Sequence, residues 1–292
     1  MKYLSGIVLL IIALASCSPK PEQKKESSIV EAKTSYLPYQ QEVKKPLDNY
    51  LHKVYINKDG IMQYRVLYPE NFDPHKKYPM ILMIHGMGEC GSNNASQLNN
   101  GGKFFLNEDF RKNHPAIVVF PQCPRGYRWD SKVMPGSGKE HYTTKKKDWY
   151  WTYDKAPNHQ LAMLMDFTKD FINNSGIVDK SRCYVGGISM GCMTAYEISY
   201  RMPNTFAAGY YMSGGGNPKD IVAKCSHMAF RIMHGDADNV VDPAYADRME
   251  AALKAANIEV VRNTYHGIGH GPWNDPMFKE PGLMDWLFSH HL

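Results

Sequence analysis

The chain has 292 residues, of which 43% are hydrophobic and 22% charged. That excludes a disordered tail or a small disulfide-stapled scaffold and is enough for one large domain with a well-buried core. The 34 Lys and Arg against 29 Asp and Glu leave a net charge of only +5, too slight an excess to imply a nucleic-acid partner.

In chain order, the first segment reads Met1-Lys2-Tyr3-Leu4, an apolar run from Gly6 to Ala15, then Ser16-Cys17. A basic start, a short apolar stretch and small residues before a cut predict a secretory signal over 1–16. The run is too short to span a bilayer comfortably as a mature helix. Leu14-Ala15-Ser16-Cys17 resembles the lipobox of bacterial lipoproteins. The resemblance implies cleavage before Cys17 and lipidation of its thiol, so that acyl chains hold the protein to a membrane; an ordinary secretory signal is the alternative. Ser18 stands where enterobacterial lipoproteins kept at the inner membrane carry Asp, so an outer-membrane address is expected. The rest of 17–45 is polar, of mixed charge and without periodicity, and reads as a disordered tether.

The domain is expected over 46–292. Val54–Asn57 and Met62–Tyr68 flank Asp59-Gly60, a hairpin signal. Met80–Ile84 and Ala116–Phe120 are continuous apolar runs, suited to strands buried on both faces. Apolar residues recur at helical spacing over 158–174. After them the pattern predicts a strand at Cys183–Gly187, a helix at Met193–Tyr200 and strands at Phe206–Met212 and Phe230–Met233. A helix at Pro243–Ala256, a strand at Ile258–Thr264 and a helix at Leu283–His290 complete it. Such alternation predicts an α/β fold: a mostly parallel central sheet with helices on both faces and an N-terminal antiparallel hairpin. Residues 125–157 break the pattern, with Gly126, Gly136, Gly138, Lys145-Lys146-Lys147 and several aromatics. They read as an insertion or long loop near the active edge, in which Trp129 and Trp151 either line a substrate pocket with Trp273 or pack the insertion down. Ser213-Gly214-Gly215-Gly216 lacks the spacing and Lys of a phosphate-binding loop and reads as a flexible turn.

Gly187-Ile188-Ser189-Met190-Gly191 is a G-x-S-x-G between a strand and a helix, the context in which a strained turn projects a serine hydroxyl. That hydroxyl needs a base, and the base an orienting acid. Candidates follow in the order Ser, Asp, His, in loops after apolar strands, so all would meet at one sheet edge. The acid could be Asp236, Asp238 or Asp242, and the base His266 or His270. An oxyanion needs two donors: the amide of Met190, and one from the loop His85-Gly86-Met87-Gly88-Glu89-Cys90-Gly91.

Those segments, with Pro121-Gln122-Cys123-Pro124, His234-Gly235-x-x-Asp238 and Gly267-x-Gly269-His270, occur in the order found in α/β hydrolases. The chain resembles their secreted esterase and predicted-peptidase branch, related to polyhydroxybutyrate depolymerases, feruloyl esterases and acetyl-xylan esterases. The resemblance implies Asp238 as the acid, His270 as the base, and the Met87 amide as the second oxyanion donor, with Gly88 as the fallback. One departure is Cys192, where these proteins usually continue with Gly. The implied activity is cleavage of carboxylic esters through an acyl-enzyme on Ser189, including esters that decorate plant polysaccharides, with no cofactor and no metal. Two other readings are a serine oligopeptidase and a catalytically inactive surface lipoprotein that binds glycan through Trp129, Trp149 and Trp151. With Cys17 set aside, Cys90, Cys123, Cys183, Cys192 and Cys225 are odd in number and hold no CxxC, so their pairing is open. Oligomeric state is not legible.

Overall fold

A computed structural model describes residues 49–133 and 149–292. The signal over 1–16, Cys17, the tether to 45 and Lys145-Lys146-Lys147 lie outside the described residues. Strands β1 (Leu51–Asn57) and β2 (Gly60–Leu67) form the expected hairpin, with Ile56 opposite Ile61. Its turn closes because the Asn57 side-chain oxygen accepts from the amides of Asp59 and Gly60, at 2.9 and 3.2 Å. An Asn side chain commonly stands in for backbone in this way.

Next come β3 (Tyr78–Ile84), helix α1 (Glu108–Asn113), β4 (Ile117–Pro121) and a two-stranded ribbon, β5 (Lys132–Val133) with β6 (Tyr150–Trp151). Helix α2 (His159–Asn174), β7 (Val178–Ile188), α3 (Met190–Arg201), β8 (Ala208–Met212) and α4 (Pro218–Lys224) follow. The chain then runs through β9 (Ala229–Gly235), α5 (Ala244–Ala255), β10 (Val260–Tyr265) and α6 (Leu283–Phe288). The main sheet has eight strands in the order β1-β2-β4-β3-β7-β8-β9-β10, antiparallel at β1/β2 and β2/β4 and parallel elsewhere.

The apolar runs become central strands because both faces are covered. Met80, Leu82 and Ile84 pack with α2, α3, α4 and α5, while Ile81 and Met83 pack with α1 and α6. That is the two-residue period of a strand read twice. Among the described residues no helix is long and apolar enough to cross a membrane. Two helices, α1 and α4, have no counterpart in the sequence reading. Each is short and is started by an Asn cap, Asn107 accepting from the Asp109 amide and Asn217 from that of Asp220. Six or seven residues are too few to show a periodic stripe.

The described part of 125–157 is fastened to the helical layer. Glu197, fully buried on α3, accepts from the Ser131 amide at 2.7 Å and from Arg201 at 2.7 and 2.9 Å. Glu197→Ala would strand Arg201, whose side chain is largely covered, and free the ribbon. A loss of about 3 kcal/mol is expected, read as a lowered denaturant midpoint; an unchanged midpoint would show that the pair contributes nothing.

Two expectations are corrected. Trp129 is completely buried and Trp151 nearly so. Trp129 packs on the His85 ring at 4.9 Å and holds the insertion down; Trp151 packs edge-on to Tyr245 at 5.2 Å and is also part of the wall of a groove, so the pocket expectation is corrected for Trp129 alone. The 213–216 turn is tightly packed, not flexible. A Cβ on Gly214 would sit 2.5 Å from the Cys192 sulfur, and one on Gly215 2.8 Å from Trp151. The glycines are there because neighbouring groups leave no room for a side chain.

Candidate active site

Three strand ends build the site. At the end of β7, Ser189 adopts φ 52° and ψ −117°, a strained conformation for a residue with a Cβ. The turn is over-determined: the Ser189 amide donates to the Met212 carbonyl at 2.9 Å, and the Met193 amide to the Ser189 carbonyl at 3.1 Å. Helix α3 starts immediately, at Met190, three residues earlier than the periodicity suggested. It can do so because Gly187 and Gly191 let the backbones close. A Cβ on Gly187 would lie 2.2 Å from the Gly191 oxygen.

The loop after β10 brings His270 Nε2 to 2.9 Å from Ser189 Oγ. His270 Nδ1 is 2.7 Å from Asp238 Oδ2, on the loop after β9. A carboxylate can only accept, so Nδ1–H donates to Asp238, and Nε2 presents a lone pair to the serine hydroxyl. Burial alone would raise the Asp238 carboxyl, but hydrogen bonds from His234, His270 and the Val241 amide outweigh it and hold the group well below the usual carboxylate range. Its contribution to stability is therefore complete above the unfolded value of about 3.9 and is lost as pH falls through the lower folded value.

The alternatives sit elsewhere. Asp242 accepts from the Ala244 amide at 2.9 Å, at the start of α5. Asp236 accepts from the Gly267 amide at 2.7 Å and pairs with the exposed His266 at 2.8 Å, tying two loops together. One participant escaped the sequence reading. His234, wholly buried at the end of β9, has Nε2 3.1 Å from Asp238 Oδ2 and 3.2 Å from the Val241 carbonyl. The acid thus has a second imidazole donor. The only signal was its place four residues before Asp238, which by itself does not distinguish a functional His from a core one.

The loop after β3 approaches Ser189 from the other side. A Cβ on Gly86 would lie 3.6 Å from the Ser189 Cβ. His85 is buried and shapes the loop: its Nε2 accepts from the Cys123 amide at 3.0 Å, so Nδ1–H donates to the Gly86 carbonyl at 2.6 Å. Burial pushes its pKa down to about 4, which keeps the ring neutral and this pattern intact. Met87 opens a 3₁₀ turn, Met87–Glu89, and is 43% exposed. Met190 is the first residue of α3, where amides have no partner within the helix. Trp273 meets the His270 ring edge-on at 5.0 Å.

A groove of about 330 Å³ is lined by Trp149, Tyr150, Trp151, Tyr245 and Arg248 beside Gly216. Another cavity, of about 220 Å³, lies between α1 and α6, and neither of the two has Ser189, Asp238 or His270 in its wall. Cys90, Cys123, Cys183, Cys192 and Cys225 are buried free thiols. Among the described residues no three His, Cys, Asp or Glu side chains converge as metal ligands.

Comparison with known proteins agrees with this architecture. Mouse lysophospholipase-like protein 1 is 24% identical over 202 residues, covering 65% of this chain and 79% of that protein. The fold of a thermostable esterase superposes with a TM-score of 0.71 at 23% identity, over 84% of this chain and 64% of the other, so this chain spans less than two thirds of that esterase. A ferulic acid esterase from Anaeromyces mucronatus superposes with a TM-score of 0.58 at 18% identity, over 87% of this chain and 93% of its own. The profile of the Phospholipase/Carboxylesterase family matches residues 71–279. The chain belongs to that family, with an α/β-hydrolase fold.

Proposed function

We propose that the protein is a serine carboxylesterase whose nucleophile, base and acid are Ser189, His270 and Asp238. The observation that carries the reading is the continuous chain Ser189 Oγ–His270 Nε2, 2.9 Å, and His270 Nδ1–Asp238 Oδ2, 2.7 Å. Ser189 Oγ attacks the ester carbonyl while its proton passes to His270 Nε2. The tetrahedral oxyanion is held by the Met190 and Met87 amides. Collapse expels the alcohol, which takes the proton from Nε2, and leaves an acyl-enzyme. Water, deprotonated by the same nitrogen, releases the acid and restores the serine. Asp238 orients the imidazole and stabilises its cationic form.

For substrate class, we infer carboxylic esters of the kind carried on plant polysaccharides. The support is the likeness to a ferulic acid esterase and the aromatic groove near the turn after β8. A panel of feruloyl, acetyl-xylan and peptide substrates tests this; turnover of peptides alone would replace it with a peptidase reading. We also propose attachment to a membrane through lipid on Cys17, supported by Leu14-Ala15-Ser16-Cys17. Loss of labelled-palmitate incorporation in Cys17→Ser is the expected result, and persistence of the label would refute it.

Asp238 keeps its charge well below neutrality, so a loss of kcat/KM in mildly acid solution is expected to come from the base, which once protonated offers no lone pair to Ser189. A rate that stays flat to about pH 4 on p-nitrophenyl acetate would rule out a histidine base.

A further inference from the structure

The oxyanion loop and the histidine loop come from opposite ends of the chain, yet Ser189 needs both in register. Between them lies residue run 99–101, which touches each. On one side, the Asn100 side-chain nitrogen donates to Glu89 Oε1 at 3.0 Å. Glu89 is 8% exposed and ends the turn that Met87 begins. Its amide donates to the Gly86 carbonyl at 3.3 Å, and a Cβ placed on Gly86 would meet Glu89 Oε2 at 3.0 Å. The carboxyl group therefore sits against the peptide that precedes Met87. On the other side, the Asn274 side-chain nitrogen donates to Asn100 Oδ1 at 2.9 Å and to the Asn99 carbonyl at 3.1 Å, while its oxygen accepts from the Gly101 amide at 2.8 Å. Asn274 follows Trp273, whose ring meets His270.

We propose that Glu89, Asn100 and Asn274 are positioning residues that form one polar clasp, setting the Met87 amide against Ser189 in register with the loop that carries His270. None of the three is needed to move a proton. An Asn side chain offers one donor and one acceptor arm, so Asn100 can donate to Glu89 and accept from Asn274 at once. Misplacing an oxyanion donor weakens transition-state binding and leaves ground-state binding alone. The clasp thus predicts a loss in kcat with KM preserved. It rests on the serine-esterase reading above.

The test compares Asn100→Ala, Asn274→Ala and Asn100→Asp with wild type on p-nitrophenyl acetate, together with binding of a boronic-acid transition-state analogue. Asn100→Asp preserves size and the acceptor for Asn274 but turns a carboxylate oxygen toward Glu89, so it reports even if an alanine variant does not fold. Each variant should lower kcat about tenfold or more, below the 10²- to 10³-fold typical of losing a donor outright. KM should stay within about twofold, and analogue affinity should fall by the same factor as kcat/KM. Combining Asn100→Ala with Asn274→Ala should be far less damaging than the product of the two, since both break one linkage. Glu89→Gln, which retains an acceptor for Asn100, should recover most of the kcat lost in Glu89→Ala.

Wild-type kcat in Asn100→Ala or Asn100→Asp would overturn the clasp, as would undiminished analogue affinity. The serine reading fails separately: it falls if a fluorophosphonate does not label Ser189 in the wild-type protein, and it stands if the label forms while the clasp variants keep full kcat.

Discussion

Asp238→Asn is expected to lower kcat by about 10³- to 10⁴-fold, the scale seen when a triad acid loses its charge but not its shape. The reason is tautomeric. Asp238 Oδ1 accepts from the amides of Val240 and Val241 at 2.8 and 2.9 Å, so the oxygen of an Asn would be retained on that side. Its NH₂ group would then face His270 Nδ1 and His234 Nε2, both of which now donate. His270 would turn Nδ1 into an acceptor and carry its proton on Nε2, where no lone pair is left for Ser189. His234 would lose one of its two acceptors, leaving the Val241 carbonyl at 3.2 Å. Loss of stability should be modest beside the loss of rate. Steady-state kinetics with a parallel thermal melt separates the two; activity within tenfold of wild type would show that Asp238 does not orient the base.

Gly191→Ala is expected to cost more than about 4 kcal/mol, the range reserved for a clash that nothing can relieve. The new Cβ would lie 2.0 Å from the Ile84 carbonyl oxygen and 2.6 Å from that of His85. Both are backbone atoms, one on β3 and the other just beyond it, so no rotamer change makes room. Helix α3 would have to back away from the sheet, carrying the Ser189 turn with it. Gly88→Ala is the control, since nothing lies within 4 Å of its Cβ position. Denaturant unfolding should leave Gly88→Ala near wild type and Gly191→Ala largely unfolded. Equal stability of the two would mean that the elbow does not depend on this close approach.

Much of this geometry was legible before any coordinates, for identifiable physical reasons. Met80–Ile84 and Ala116–Phe120 are short and apolar at every position, which suits a strand covered on both faces. The glycines flanking Ser189 mark a turn that other residues cannot make. The resemblance, not the spacing, separated Asp238 from Asp236 and Asp242, and His270 from His266; the structure brings together the pair it implied. The failures are equally specific. An aromatic residue in a glycine-rich insertion carries no mark of which way it faces, and Trp129 faces inward onto His85. Glycines that permit contact read like glycines that permit motion, hence the error at 214–216. Asn100 and Asn274 are 174 residues apart, so no local pattern could join them.

Catalysis here depends on one oxygen being activated by one ring. The most direct test of that activation is reaction of the intact protein with a fluorophosphonate, followed by peptide mapping in wild type, Ser189→Ala and His270→Ala. A single adduct on Ser189, absent in Ser189→Ala and at least about 10³-fold slower to form in His270→Ala, is the predicted result. An adduct on another residue, or ester turnover that survives in Ser189→Ala, would contradict it.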